Sequence, residues 1–317
     1  MNKAIAREME GAAAESGDTR EGIIYALCAY LFWGFVPFYM KAVAHLPSIE
    51  VVAHRIFWSV PLAGLLLVIL GRTGDIRRAI RSPRTLAQAG LTASLISINW
   101  YIYVWSIASG RTVETALGYY INPLFSVLLA FIFLGERLTT LQILAIGFAL
   151  AGVSLITWHA GGLPWASIGL AVSWGLYALF KRTLPIGPAQ GFFMEILLLA
   201  PPALLYILWI GVNGNGHFLI AATDSILLAM AGIVTAVPLI LYANAAKKLR
   251  LTTIGIMQYI APTLIFLVAV LVFREPFDLV RFAAFALIWI ALIIYSFGLL
   301  RMRQGLESEK ARPSAGS

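Results

Sequence analysis

The stretch Glu114 to Thr140, ETALGYYINPLFSVLLAFIFLGERLTT, decides how this chain folds. It is long and apolar enough to cross a bilayer, and the chain nearly repeats it at Gly255 to Phe277, GIMQYIAPTLIFLVAVLVFREPF. At one constant offset Tyr120 answers to Tyr259, Ile121 to Ile260, Pro123 to Pro262 and Glu136 to Glu275. A weaker echo sets Phe32-Trp33-Gly34, with Lys41, against Ser173-Trp174-Gly175, with Arg182. A proline and a terminal glutamate matched in two apolar segments argue for internal duplication, and such symmetry in an apolar chain marks many secondary transporters.

Composition agrees. Hydrophobic residues make up 60% and charged residues 12% of the chain, about half the charged share of a soluble domain. The fold class read here is all-α, a polytopic membrane protein. The formal charge of +8 does not point to nucleic acid, because the basic residues fall in short loops between apolar spans, where the positive-inside rule places them. The single cysteine, Cys28, cannot form an intramolecular disulfide.

A span of about 20 apolar residues crosses the hydrocarbon layer. On that measure the sequence predicts ten: Gly22 to Met40, Ile49 to Leu70, Leu86 to Ala108, Glu114 to Leu134, Leu141 to Trp158, Leu163 to Phe180, Gln190 to Gly211, Ser225 to Ala245, Thr252 to Phe273 and Leu279 to Leu300. Ten is two copies of five, 22–158 and 163–300. An odd number per copy makes the second enter the membrane from the opposite side, an inverted repeat. If the N-terminus is cytoplasmic, the outer loops hold only Lys41, Arg111, Arg274 and Arg281, while nearly all other Lys and Arg lie inside. Both termini are therefore expected in the cytoplasm. Residues 1–21 and 301–317 read as disordered cytoplasmic tails, the first without the apolar core of a cleaved signal. The basic loop Gly71 to Thr85 is suited to anionic headgroups, and Trp158, Trp165 and Trp209 to an interfacial belt.

Catalytic motifs are missing from the sequence. It contains no G-x-S-x-G, no H-E-x-x-H, no Cys/His cluster with metal spacing and no Gly-Lys dipeptide for a phosphate loop, so neither an enzyme nor a cofactor or metal is expected. Ionisable groups within spans default to functional hypotheses because burying them is costly. Arg55 falls ~12 Å into the second span, near the midplane. His54 precedes it on another helix face, and Glu195 lies nearer the inner end of the seventh span. Arg55 can bind an anionic group or hold a pocket open, with Glu195 or His54 taking up a proton; alternatively, Arg55 snorkels or pairs with Glu195 or a helix carbonyl for structure.

Thr115, Tyr119, Asn122 and Ser126 recur at helical spacing on one face of the fourth span, and Asn99, Tyr103 and Ser106 on one face of the third, with Trp100 and Trp105 alongside. In the second half only Gln258, at the level of Tyr119, stays polar. These stripes either line a cavity with Arg55 or bond helix to helix. Prolines interrupt the presumed core spans at Pro37, Pro61, Pro123, Pro238 and Pro262; the pair Pro123 and Pro262 predicts matched kinks beside a binding region. The fifth and tenth spans lack proline, and Gly147 with Ala151 offers a small-residue face suited to close packing or a homodimer.

The ordered motifs AHRIFWS (Ala53 to Ser59), INWYIYVWSI (Ile98 to Ile107), ETALGYYINPL (Glu114 to Leu124), FLGERL (Phe133 to Leu138), GIVTAVPL (Gly232 to Leu239) and QYIAPTL (Gln258 to Leu264) resemble the EamA-type transporters of the drug/metabolite transporter superfamily. The resemblance covers Gly22 to Leu300, departing at FREP (Phe273 to Pro276), where the first copy reads LGER. It implies a bacterial inner-membrane permease with a substrate path lined by the first four spans of each half. The expected partners are a small-molecule substrate and the lipid bilayer. The competing reading is a membrane-embedded structural or regulatory subunit without transport.

Overall fold

The structure is a computed structural model that describes residues 18–310 except Leu70, Arg72, Glu136, Arg182 and Lys247. The matches drawn above to Glu136 and Arg182, and the tail residues 1–17 and 311–317, lie outside the described residues. Every regular element described is a helix: α1 (Arg20–Ala42), α2 (Ser48–Ile69), α3 (Gly74–Ile80), α4 (Pro83–Ala108), α5 (Thr112–Leu134), α6 (Thr140–Ala160), α7 (Trp165–Lys181), α8 (Pro188–Val212), α9 (Ala222–Ala246), α10 (Leu251–Met257), α11 (Ile260–Leu267), a π-helical turn (Val268–Val272) and α12 (Leu279–Lys310).

Among the described residues, nine helical segments are long and apolar enough to cross a membrane. The sixth predicted span is α7, which has 17 residues and therefore reaches only ~25 Å. Local signals set the helix ends. Thr19 accepts from the Gly22 amide and Ser82 from that of Thr85, while Thr139 and Gln142 form a reciprocal capping box, each pairing an otherwise orphaned first-turn donor. Gly135 and Gly161 end α5 and α6 in the left-handed conformation.

Two expectations change. The ninth span is not one helix: α10 stops at Met257 and α11 starts at Ile260. Pro262 has no N–H to offer the carbonyl of Gln258 one turn earlier, so the ladder lapses there. Pro123, its match, lies within a helix that runs unbroken from Thr112 to Leu134. The tenth span also continues as helix to Lys310 instead of ending in a disordered tail at Leu300; RMRQGLESEK is rich in strong helix formers and has one glycine and no proline.

The helices pack in a definite pattern: α2 against α8 and α9, α1 against α9 and α11, α4 against α7, α5 against α7 and α11, and α6 against α12. The two echoed stretches touch, since the Tyr120 hydroxyl lies 2.8 Å from Thr263 Oγ1. Small residues set how near the helices come. Gly152 of α6 packs so tightly on α12 that a Cβ there would lie 2.8 Å from the Ala284 carbonyl oxygen. The small-residue face expected at Gly147 and Ala151 is not this contact: both are exposed, and nothing lies within 4 Å of a Cβ built on Gly147. Large apolar side chains such as Leu65, Leu150, Leu205 and Ile293 stay exposed on the bundle's outside, as a surface facing lipid requires. Trp158, Trp165 and Trp209 are exposed too.

Candidate functional site

Arg55 sits on the buried face of α2 with Val51, Val52 and Ser59, and is 9% exposed. Its Nε donates to Thr235 Oγ1 of α9 at 2.7 Å, and its guanidinium lies over the Trp100 ring of α4, 4.5 Å from the centroid. Tyr39 of α1, Tyr103 of α4 and Tyr119 of α5 are near enough to interact with its charge. The Tyr103 and Tyr119 rings lie 5.9 Å apart, Trp100 meets Phe192 of α8 edge-on, and Tyr39 donates to the Leu227 carbonyl. Five helices thus meet at one cation, with α8 behind Trp100.

That cation has no carboxylate partner among the described residues, and its Nη1 is buried without a hydrogen-bond partner. Taking a guanidinium out of water costs several kcal/mol, and a desolvated cation–π contact returns only about 2 kcal/mol. Among the described residues the two buried carboxylates are matched. Glu195 accepts from Lys181 Nζ at 2.6 Å and from the Tyr177 hydroxyl at 3.2 Å. Glu50, fully buried at the opposite end of the bundle, accepts from the His217 amide and pairs with His217 Nδ1 at 2.7 Å.

Of the residues singled out from sequence, Arg55, Trp100, Tyr103 and Tyr119 come together. Glu195 does not join them: it pairs with Lys181, so the structural alternative of an Arg55–Glu195 pair is wrong. The two residues face different neighbours, α9 and α4 for Arg55 and α7 for Glu195. His54 has different neighbours from Arg55: it accepts from Trp58 Nε1 and stacks near Phe218, with its Nε2 buried and unpartnered. Asn99 spends its amide on the Leu170 carbonyl and Ser173 hydroxyl, tying α4 to α7. Asn122 is buried with an unpartnered Oδ1, and Gln258 is half-buried at the break between α10 and α11.

Neither spacing nor depth in a span marks Thr235, Lys181, Glu50 or His217. Thr235 lies inside the motif GIVTAVPL, but a lone threonine in an apolar span carries no period to mark it. A separate cleft of about 570 Å³ opens at the end of the bundle that holds Arg111, Glu114, His159, Glu275 and Arg281, away from Arg55.

This all-helical architecture of long apolar segments is that of a polytopic membrane protein. A family model described as the EamA-like transporter family matches residues 20–158. A protein named RarD from Streptomyces exfoliatus is 39% identical, the alignment covering 94% of this chain and 95% of that protein. An uncharacterized transporter, YojE, from Bacillus subtilis is 37% identical over 93% of this chain and 99% of its own length. A solved crystal structure aligns with a TM-score of 0.59 at 18% identity, covering 89% of this chain and 98% of its own, which bears on fold alone. The chain belongs to the EamA-like transporter family of drug/metabolite transporters, and its environment is a lipid bilayer.

Proposed function

We propose that the protein is a secondary transporter of the bacterial inner membrane that moves a small amphipathic, anionic metabolite or drug-like molecule by alternating access, as an exporter or exchanger. The observation that carries this reading is Arg55: a buried cation without a counter-ion among the described residues, ringed by aromatic side chains where helices of both halves meet. The substrate's negative group pairs with Arg55, and its apolar part packs on Trp100, Tyr103 and Tyr119. Asn122 and Gln258 complete the path; Asn99 serves its wall through α7.

The moving units are two inverted halves, 22–158 and 163–300, with both termini cytoplasmic. Helix pairing supports this. A two-fold relation exchanging spans five apart sends α2–α8 and α6–α12 onto themselves, α1–α9 onto α4–α7, and α1–α11 onto α5–α7, and each of these pairs is packed. The Gly147 and Ala151 face, open in one chain, suits a homodimer contact. Proton coupling fits His54, whose Nε2 is unpartnered, better than Glu195, whose oxygens are engaged.

Purified protein screened for thermal stabilisation by anionic, zwitterionic and cationic metabolites, beside Arg55→Ala, tests the reading. A ligand at 100 times its Kd stabilises the native state by about 2.7 kcal/mol. An anion that shifts wild type and not folded Arg55→Ala is the expected result. Stabilisation confined to cations, or equal in both proteins, would sink it. With Cys28 replaced, protection of single cysteines at Asn122 and Gln258 from water-soluble thiol reagents would favour the non-transporting subunit.

A further inference from the structure

The hydrogen-bond geometry around Arg55 restricts which anion it can take. A guanidinium offers an anion two edges: the side edge, with Nε and one terminal nitrogen, and the end edge, with Nη1 and Nη2. Here the side edge is closed. Thr235 Oγ1 accepts from Nε at 2.7 Å, and the same hydroxyl donates its only proton to the Ala231 carbonyl at 2.9 Å. With that proton committed to its own helix, the oxygen presents a lone pair to Arg55 and cannot turn round as a donor.

The approach of α9 that makes this contact depends on Gly232. A Cβ there would lie 2.4 Å from the Trp58 carbonyl oxygen of α2, so glycine lets the backbones close and brings Thr235, three residues on, to Arg55. One face of the guanidinium is covered by Trp100 at 4.5 Å. What remains is the end edge, whose Nη1 is buried without a partner.

We infer that Thr235 is a specificity-determining positioning residue, which holds Arg55 so that its end edge takes one planar monocarboxylate through two parallel N–H···O bonds. The inference rests on the reading of Arg55 as the substrate's anion site and adds substrate class to it. A carboxylate supplies two oxygens in one plane, matched to two parallel donors. It also supplies one negative charge, which balances one guanidinium. The residues around Arg55, namely Tyr39, Trp100, Tyr103, Tyr119 and Thr235, include no second cation, so a dianionic phosphate monoester brings surplus charge into a site that cannot neutralise it. The aromatic walls favour an aryl or otherwise apolar body behind the carboxylate.

The test uses the purified full chain with benzoate, its uncharged analogue benzamide, and phenyl phosphate, read as Kd from thermal-shift and intrinsic-fluorescence titrations. Wild type, Thr235→Ser, Thr235→Val, Thr235→Ala and Arg55→Gln are compared, with ligand-free melting showing which variants are folded. Wild type is expected to bind benzoate and not benzamide, preferring benzoate over phenyl phosphate by about tenfold or more. Loss of a hydrogen bond to a charged group weakens binding by about tenfold, so Thr235→Val or Thr235→Ala, whichever is folded, is expected to lose that much for benzoate and to narrow the preference. Thr235→Ser retains both. If folded Thr235→Val or Thr235→Ala keeps wild-type affinity and preference while Arg55→Gln abolishes binding, the role of Thr235 is overturned and the anion site stands. If wild type ignores benzoate, or Arg55→Gln binds it equally, the anion site fails and the proposal fails with it.

Discussion

Lys181 Nζ lies 2.6 Å from Glu195 Oε1, joining the end of α7 to the first turns of α8 through a carboxylate that is fully buried. The second oxygen takes the Tyr177 hydroxyl, and Lys181 also lies over the Tyr177 ring. Removing one partner of a buried pair strands the other charge and costs about 3 to 5 kcal/mol, whereas replacing both with apolar groups is often close to neutral. Glu195→Leu is therefore expected to destabilise by about 3 kcal/mol, and Lys181→Met with Glu195→Leu to recover most of it. A double-mutant cycle on detergent-solubilised protein measures this; additive losses would show that the pair contributes no coupling.

Glu275 caps a helix from which it is distant in sequence. Its two carboxylate oxygens accept from the backbone amides of Thr112 and Val113 at 2.7 and 2.8 Å, at the start of α5. These are charge-assisted bonds to orphaned donors at the positive end of a helix dipole. Glu275→Ala is expected to cost about 2 kcal/mol, the upper end for a lost cap, and Glu275→Gln about half as much. Chemical denaturation of both variants checks the order.

Two glycine-to-alanine changes should have opposite signs. At Gly232 the added methyl would lie 2.4 Å from the Trp58 carbonyl oxygen, against backbone that cannot swing aside. Overpacking of this kind costs about 1 to 3 kcal/mol, and the separation of α2 and α9 also lengthens the Arg55–Thr235 bond. At Gly147 nothing lies within 4 Å, so alanine gains only helix propensity, up to about 1 kcal/mol. Thermal melts of Gly232→Ala and Gly147→Ala read the contrast directly. A destabilised Gly147→Ala would instead reveal a neighbour packed on that face, the outcome expected of a dimer.

Asp278, just ahead of α12, is held below the usual carboxylate range. The chief cause is the Arg281 backbone N–H that it accepts, followed by the His159 imidazole, whose Nε2 lies 2.8 Å away. Because the folded state lowers this pKa, the contribution to stability is complete above the unfolded value of ~3.9 and disappears as the pH falls through the folded value. Wild type and Asp278→Asn should therefore differ in melting temperature at neutral pH and converge below about pH 4. A gap that widens on acidification would contradict this assignment.

Much of the site could be read in the sequence because membrane burial is selective about charge. Arg55 stood out as an arginine deep in an apolar span, and helical spacing placed Tyr103 and Tyr119 on inward faces; Trp100 and Tyr119 then met it across helix boundaries. Helical spacing leaves the Asn99 stripe open between lining a cavity and bonding helix to helix, and the Asn99 amide does the second, donating to the Leu170 carbonyl and Ser173 hydroxyl of α7. Spacing fixes the face a side chain occupies, not which neighbouring helix reaches it first.

The class of the protein follows from its amino-acid order alone. A hydrocarbon layer admits only long apolar segments that satisfy their own backbone, so composition, span length and proline placement were enough to give an all-helical, membrane-spanning chain, and the echoed motifs to give its resemblance. Partners belonged to tertiary structure. That Glu195 faces Lys181 and not Arg55, that Glu275 caps α5, and that Thr235 closes one edge of the guanidinium each depend on which helices lie side by side. That adjacency is set by close approaches at single small residues such as Gly232 and Gly152, and a hydrogen bond reaching across it leaves no period along the chain.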